Sequence, residues 1–558
     1  MLQKFRKSRI VFAMTSTELT TLLAHQGYAP RPQQVALFDH LITLDNTGVI
    51  AQAGTGVGKS IAVLAAAAHL NEKLGKQALI VTPTRVLMDQ YMRSDAPAAA
   101  AAFGKSVTEL RGKRWYACAQ SADIDPEAGC MGRDADCTES NWMEKGYLCL
   151  YQEAKLRART ADIVVTNSDM LIVNDRLLPE PIFDREGALL VDEAHQLEPK
   201  LRDWADRSLR AEYIARYSPA GRRLANWIEK FKNNAQAVGD QPQLPELLQD
   251  VLNDMAEEAH MARRTEDMQD AITKIFGRIT APTDRAMIWA DGEALKLSWI
   301  DVSLTARDLL HARPFALVSA TVPASMPGSL GIEDARIIDV GHPFDYGKQA
   351  TAHVSGVNGA YKFATHPENI PKRAEEILKE VLAVKGGALL LFSSFKDLEK
   401  VYEITCKRLR EAGLTVLKQG GLVDNKELGE TFKKDGNAVL FGSESFATGF
   451  DAPATGTSNP LRLVVIFKLP YPGKDPVSEA IAARNFKKYE DMMLTRVTQA
   501  AGRLIRSDRD TGRLFIADSR GEKILQNKSL MMRHLSEFRR ESSSGTPRSP
   551  LASAWRTS

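Results

Sequence analysis

Cysteine is scarce in this 558-residue chain, with five residues in all, too few and too unevenly spread for a disulfide framework. Four of the five (Cys118, Cys130, Cys137 and Cys149) fall in one short segment, and Cys406 stands apart. Such clustering in a reducing compartment points to metal ligation before disulfides. A long apolar run is also lacking, since no stretch approaches the roughly 20 residues that a membrane helix needs. The N-terminal Met1-Leu2-Gln3-Lys4-Phe5-Arg6-Lys7 is basic, but Ile10 to Met14 is too short and interrupted for the apolar part of a signal peptide. A cytoplasmic protein without a membrane partner is therefore expected. Charge of one sign is missing too: 73 Lys and Arg stand against 70 Asp and Glu. Any nucleic-acid track must then be a local basic strip and not a property of the whole surface.

What is present is an ordinary globular composition, 44% hydrophobic and 26% charged. The length exceeds one compact core and predicts two to four domains. The stretch Ala53-Gly54-Thr55-Gly56-Val57-Gly58-Lys59-Ser60 follows the apolar Val49-Ile50 and opens the helix-favouring Ile61 to Ala68. Strand, glycine-rich turn and helix is the context of a phosphate-binding loop: glycines let backbone N–H groups curl inward, and the helix N-terminus adds its positive dipole end. In that reading Lys59 reaches the β- and γ-phosphates of ATP and the Ser60 hydroxyl holds Mg²⁺. Ala53 replaces the usual first glycine. A flexible Gly-rich turn is the bland alternative for the loop taken alone.

Further along, Ala78-Leu79-Ile80-Val81 reads as a buried parallel strand ending in Thr82-Pro83-Thr84-Arg85. Strand ends of this kind carry ligand-contacting loops in open α/β sheets. Thr84 and Arg85 are candidates for a nucleic-acid phosphate, although Arg85 serves equally well as a salt bridge opening the next helix. The cysteines are spaced C-x11-C-x6-C-x11-C, with no short Cys pair of the kind that holds two zinc ligands on one turn. Wide spacings suit a four-thiolate iron–sulfur cluster, while zinc and unligated thiols stay open. Next comes Ala188-Leu189-Leu190-Val191-Asp192-Glu193-Ala194-His195, which sets two carboxylates at the tip of a strand. Asp192 there holds Mg²⁺ through its water shell, and Glu193 polarises the water that attacks the γ-phosphate.

The A-x-x-G-x-G-K-S loop followed by D-E-A-H resembles a superfamily 2 helicase of the XPD/DinG group. The resemblance implies a fold of two RecA-like parallel-sheet α/β motor domains, with a four-cysteine Fe–S domain and a helical arch inserted in the first. The implied boundaries are 1–110 (first motor domain), 111–160 (four-cysteine insertion), 161–196 (DEAH part), 197–300 (arch) and 301–350 (end of the first motor domain). Residues 351–541 form the second motor domain and 542–558 a disordered Ser- and Pro-rich tail. Arg31-x-x-Gln34 resembles the adenine-reading segment of many helicases, though a Pro/Gln turn entering a helix explains it almost as well. The cysteines become candidate ligands of a [4Fe–4S] cluster, in spacings unlike those associated with either namesake.

Within the 197–300 stretch, Leu247, Leu248, Val251, Leu252 and Met255 recur at helical spacing, and Asp291-Gly292 marks a hairpin between two β-prone runs. Ser319-Ala320-Thr321 matches the motif that couples nucleotide state to the DNA track, and Gly341 to Tyr346 resembles the DinG segment leading out of the first motor domain. Gly449 and Asp451 are placed by the family near nucleotide, with Thr448 where a glutamate is usual. In Gln499-Ala500-Ala501-Gly502-Arg503-Leu504-Ile505-Arg506, the two arginines are three apart and expected on one helix face, as fingers onto the γ-phosphate. Arginines bridging to acidic neighbours are the plain alternative.

The implied activity is ATP hydrolysis driving 5′→3′ movement on single-stranded DNA and opening of duplexes or R-loops. An accessory helicase recruited by a type IV CRISPR ribonucleoprotein is a second reading. An ATP-gated nucleic-acid-binding scaffold without unwinding is a third, from another class.

Overall fold

The computed structural model describes residues 30–44, 47–116, 149–257, 264–355, 367–421, 423–449 and 459–540. They divide into two compact units. One is built mainly from residues before 342 together with Gly473–Lys488, and the other mainly from 342–472 and the chain beyond 488.

In the first unit, apolar runs form β1 (Val49–Gln52), β2 (Ala78–Thr82), β3 (Val107–Leu110), β4 (Ile163–Asn167) and β5 (Leu189–Asp192). Four more strands follow in the 197–300 stretch: β6 (Arg207–Arg210), β7 (Gln236–Ala237), β8 (Ala286–Ala290) and β9 (Ala294–Trp299). The main sheet then gains β10 (Phe315–Ser319) and β11 (Arg336–Asp339). Its order is β11-β1-β10-β5-β2-β4-β3, all parallel. Every residue of β1, β2, β5 and β10 is buried, which is why these strands are nearly continuous apolar runs without alternation. Register sets Gln52 opposite Ser319 and Val318 opposite Asp192, so the ends of three motif-bearing strands meet at one edge.

The helix Lys59–Leu74 lays its alanine-rich face on this sheet, with Ala62 to Ala68 buried. It stops at Gly75, whose left-handed φ of 63° lets its N–H bond back to the Asn71 carbonyl at 2.9 Å. A buried knot ties the sheet to its flanking loops: Asn174 accepts from the Ile182 and Phe183 N–H groups, and Arg313 pairs with Asp175.

The 197–300 stretch is not purely helical. Helices Pro219–Glu229, Leu244–Glu257 and Arg264–Thr280 pack with a four-stranded antiparallel sheet of order β6-β9-β8-β7. The expected hairpin at Asp291-Gly292 is the centre of this sheet, whereas β6 and β7, four and two residues long, were not visible in the helical arch that the resemblance implied. Leu248 and Val251 are fully buried in its core and Met255 nearly so, with Leu247 and Leu252 packed at the margin. The β8–β9 hairpin turns at Asp291-Gly292, where Gly292 has φ 88° and a Cβ would meet the Lys232 backbone at 2.2 Å. Gly473–Lys488, expected within the second motor domain, belongs to this first unit. Arg484 pairs with Asp284 at 2.7 Å and Asp301 at 3.3 Å, and Lys488 with Glu198 at 2.7 Å.

The second unit is another parallel sheet, of order β14-β15-β13-β16-β17-β12-β18. Its strands are β12 (Ala350–Val354), β13 (Ala388–Phe392), β14 (Thr415–Lys418), β15 (Ala438–Ser443), β16 (Leu463–Ile466), β17 (Gly512–Ile516) and β18 (Arg539–Arg540). Helices Ile370–Val384 and Phe395–Glu411 pack with one apolar cluster, and Phe486–Ala501 with another. The chain thus holds two RecA-like parallel-sheet α/β domains.

Candidate nucleotide site and its neighbours

The glycine-rich loop leaves β1 at Ala53, which is buried and donates its N–H to the Ser319 carbonyl at 2.9 Å. Gly58 caps the following helix with φ 85°, a conformation that costs an L side chain about 1–2 kcal/mol. The Gln34 amide donates to the Gly58 carbonyl at 3.1 Å, and a Cβ at Gly58 would approach that amide nitrogen to 2.9 Å. Gln34 therefore buttresses the loop's exit. Arg31 precedes the helix Pro32–Leu41, and its carbonyl accepts from Gln34 and Val35.

Lys59 opens the helix, and its ammonium lies 3.4 Å from Glu193 Oε1. Residues 134 positions apart in sequence thus meet because β1 and β5 sit one strand apart, on either side of β10. Asp192 ends β5 almost fully buried, accepting from the Glu193 N–H at 2.8 Å and the Tyr91 hydroxyl at 2.9 Å. Burial, with the Glu193 charge beside it, raises the Asp192 carboxyl to about 6; Lys59 and the two hydrogen bonds act the other way. Burial also lifts the Tyr91 hydroxyl well above its ordinary range.

Glu193 has φ 49°, a left-handed backbone in a non-glycine residue, and this turn aims its carboxylate at Lys59. His195 Nδ1 lies 2.9 Å from Ser319 Oγ, and burial holds its imidazole below the ordinary value. Ser319 Oγ in turn donates to the Thr321 carbonyl and accepts from the Thr321 N–H. A hydrogen-bonded path thereby joins the D-E-A-H turn to S-A-T.

These residues fit ATP with Mg²⁺. A left-handed glycine opens a 16-residue helix toward the loop, and a buried carboxylate with raised proton affinity marks a shortage of positive charge that a divalent cation would relieve. Lys59 and the loop residues Gly54, Thr55, Gly56, Val57 and Gly58 would hold phosphates, and Ser60 and Asp192 the cation.

Elsewhere on the same sheet edge, Thr84 caps the helix Arg85–Gln90 by accepting from the Leu87 N–H. Arg85 is exposed, and its guanidinium lies 3.3 Å from the ring centre of Trp115. In the second unit, Gly449 closes the helix Glu444–Gly449, while Asp451 lies outside the described residues. Gln499 lies on the helix Phe486–Ala501, but Arg503 and Arg506 do not share a helix face with each other. The helix ends at Ala501, and the next residues turn away to bury Leu504 and Ile505. Asp510 fixes that turn by accepting from the Arg506 and Ser507 N–H groups at 2.8 and 2.7 Å.

Cys118, Cys130 and Cys137 lie outside the described residues. Cys149 is half-buried at the start of the helix Leu150–Thr160. Among the described residues no three His, Cys, Asp or Glu side chains are grouped to hold a metal ion.

Sequence reasoning missed Tyr91 as the partner of Asp192, Gln34 as a buttress, and the left-handed Glu193. For the last two, the D-E-A-H and Arg-x-x-Gln motifs mark the positions but not the geometry. For Tyr91 the sequence carries no signal.

Residues 31–114 match the DEAD/DEAH box helicase family and 377–538 the helicase C-terminal domain. The ATP-dependent DNA helicase YoaA of Haemophilus influenzae is 23% identical, over 89% of this chain and 92% of that protein. The ATP-dependent helicase DinG of Mycobacterium tuberculosis is 25% identical, over 85% of this chain and 87% of its own length. A solved XPD helicase shares the fold with a TM-score of 0.63 at 19% identity, covering 92% of this chain and 99% of the other, and Xpd4 of S. tokodaii does so at 0.58 and 15%, covering 92% and 100%. A lysine-bearing loop facing a D-E-A-H carboxylate, a DEAD/DEAH box match and a helicase C-terminal domain match together make the chain similar to ATP-dependent helicases of the DinG and YoaA kind, on a fold shared with XPD.

Proposed function

We propose that this protein is an ATP-dependent DNA helicase that moves along one strand and separates it from its complement. The observation that carries the reading is Lys59 and Glu193 held 3.4 Å apart beside the buried Asp192. Lys59 binds the β- and γ-phosphates. Glu193 accepts a proton from the attacking water, which its left-handed backbone and the Lys59 pairing orient. Ser60 and Asp192 hold the magnesium ion, which supplies charge neutralisation at the phosphates. Gln34 keeps the loop's exit fixed, with Arg31 beside it on the adenine side. The family reading also assigns Gln499, Arg503 and Arg506, with Gly449 and Asp451, to nucleotide. Arginine fingers of this kind contribute about 10³–10⁵ in rate. Their position on a turn and not on a helix leaves that role to the loop's own geometry.

The finer form of the reading is 5′→3′ movement and opening of R-loops, alone or beside a CRISPR guide complex. The two relatives described above, both ATP-dependent helicases, support the coarser activity. We further assign Cys118, Cys130, Cys137 and Cys149 to a [4Fe–4S] cluster with a structural role, and no step above passes through it.

Unwinding of 5′- and 3′-tailed duplexes, with ATP and with a non-hydrolysable analogue, tests motor and polarity together. Strand separation with ATP on the 5′-tailed substrate alone is expected, and Lys59→Ala should abolish it. Separation persisting in Lys59→Ala would refute the motor reading, and hydrolysis without separation would favour the scaffold.

A further inference from the structure

We infer that Trp115, propped by Arg85, is a stacking platform for one unpaired base of single-stranded DNA. This inference rests on the helicase reading above and adds a contact residue that no motif marks.

Trp115 ends a single helical turn, Lys113–Trp115, just after β3, and Arg85 begins the helix just after β2. Both strands flank β4 in parallel, so the two loops emerge at the sheet edge that also carries Asp192. A tryptophan kept for packing is buried among apolar neighbours, but this indole is 40% exposed. The groups set against its ring are cations: Arg85 at 3.3 Å and Arg114 at 4.9 Å. Val86 beside them is 73% exposed.

The turn that presents the indole is built rigidly. The Trp115 N–H bonds to the Gly112 carbonyl at 3.0 Å, the Tyr116 N–H to the Lys113 carbonyl at 3.2 Å, and the Arg111 N–H to the Tyr116 hydroxyl at 3.1 Å. The neighbouring carboxylates, Asp89 on the helix Arg85–Gln90 and Glu109 on β3, are already engaged, since Arg111 pairs with both. Arg85, Lys113 and Arg114 are the remaining cations of those loops.

An exposed aromatic face, ringed by cations that no carboxylate among the described residues neutralises, matches the chemistry of a single strand. The base stacks on the indole, independent of sequence because every base has a π-face, and the guanidinium groups meet the flanking phosphates. An acidic peptide would use the cations but leave the indole without purpose.

The test compares a fluorescent oligothymidylate with an abasic strand of the same length, by anisotropy, in wild type and in variants at Trp115. Trp115→Ala should weaken oligothymidylate binding by about 5- to 100-fold while leaving the abasic strand as it was. Trp115→Phe should keep most of the affinity. Trp115→Leu, which preserves apolar bulk without a π-face, should lose it, so a poorly folding alanine variant does not shelter the inference. A wild-type preference for bases that survives in the Ala and Leu variants overturns the platform alone, as does equal weakening on both strands. Failure of the wild type to bind either strand overturns the helicase reading with it.

Discussion

Two carboxylates adjacent in sequence are given different chemistry by their backbones. Asp192 completes a strand and is buried, whereas Glu193 turns left-handed and reaches Lys59. Glu193→Gln keeps the shape and the hydrogen-bonding oxygen but removes the proton acceptor. It should bind ATP with near wild-type affinity and lower kcat by about 10²–10⁴, measured by phosphate release beside a nucleotide-binding titration. An unchanged kcat would assign the water-activating role elsewhere. The sequence made the lysine loop and the acidic pair legible, because glycines, lysine and carboxylates at strand ends have few other uses together. It hid Tyr91, whose hydroxyl meets Asp192 across 101 positions, since a tyrosine inside a helical run announces nothing about its partner.

Among the elements, the Gly341–Tyr346 segment shows how a short motif is locked by distant chain. His342 bonds to Glu537 at 3.1 Å, and Tyr346 packs on His534 and Phe538 at ring-centre distances of 5.5 and 5.6 Å. Burial, with the His342 charge second, holds the His534 imidazole down to about 4, opposed by a hydrogen bond involving the Thr498 backbone. A histidine whose folded value lies below its unfolded 6.5 is neutral in the fold, and unfolding takes up a proton as pH drops. The stability it permits is whole above pH 6.5 and declines between 6.5 and about 4, by about 2–3 kcal/mol. Denaturant titrations across that range should show the decline in wild type and a flatter profile in His534→Gln. Equal slopes would mean that other groups dominate. At this scale the sequence was read well where strands were long and apolar, and poorly where a local rule was extended too far. Spacing placed Arg503 and Arg506 on one face by assuming a helix that the turn after Ala501 ends. The two-residue β7 and four-residue β6 offered too little alternation to be seen.

For the molecule as a whole, the resemblance to two-motor helicases implied two parallel-sheet domains, and the described residues form two seven-stranded parallel sheets. The order of strands within each sheet was not legible, because it depends on which crossovers pack and not on any local pattern. The four-cysteine segment belongs to this scale, since its ligands are spread over 32 positions. Protein purified without oxygen should absorb near ~400 nm and carry iron, and both should fall in Cys149→Ser. Colourless, iron-free wild type would end the cluster assignment.

The Arg484 and Lys488 ion pairs carry a consequence for dissection of the protein. The polypeptide returns to its first body after building half of the second, so no single cut separates two self-sufficient fragments. A fragment stopping at Gly341 takes Arg484 from Asp284 and leaves Asp301 with Arg285 and Glu198 with Arg202, each short of the cation that a later stretch supplies. Severed halves would have to be co-expressed, or the 473–488 peptide grafted back, before either could be judged for what it does alone.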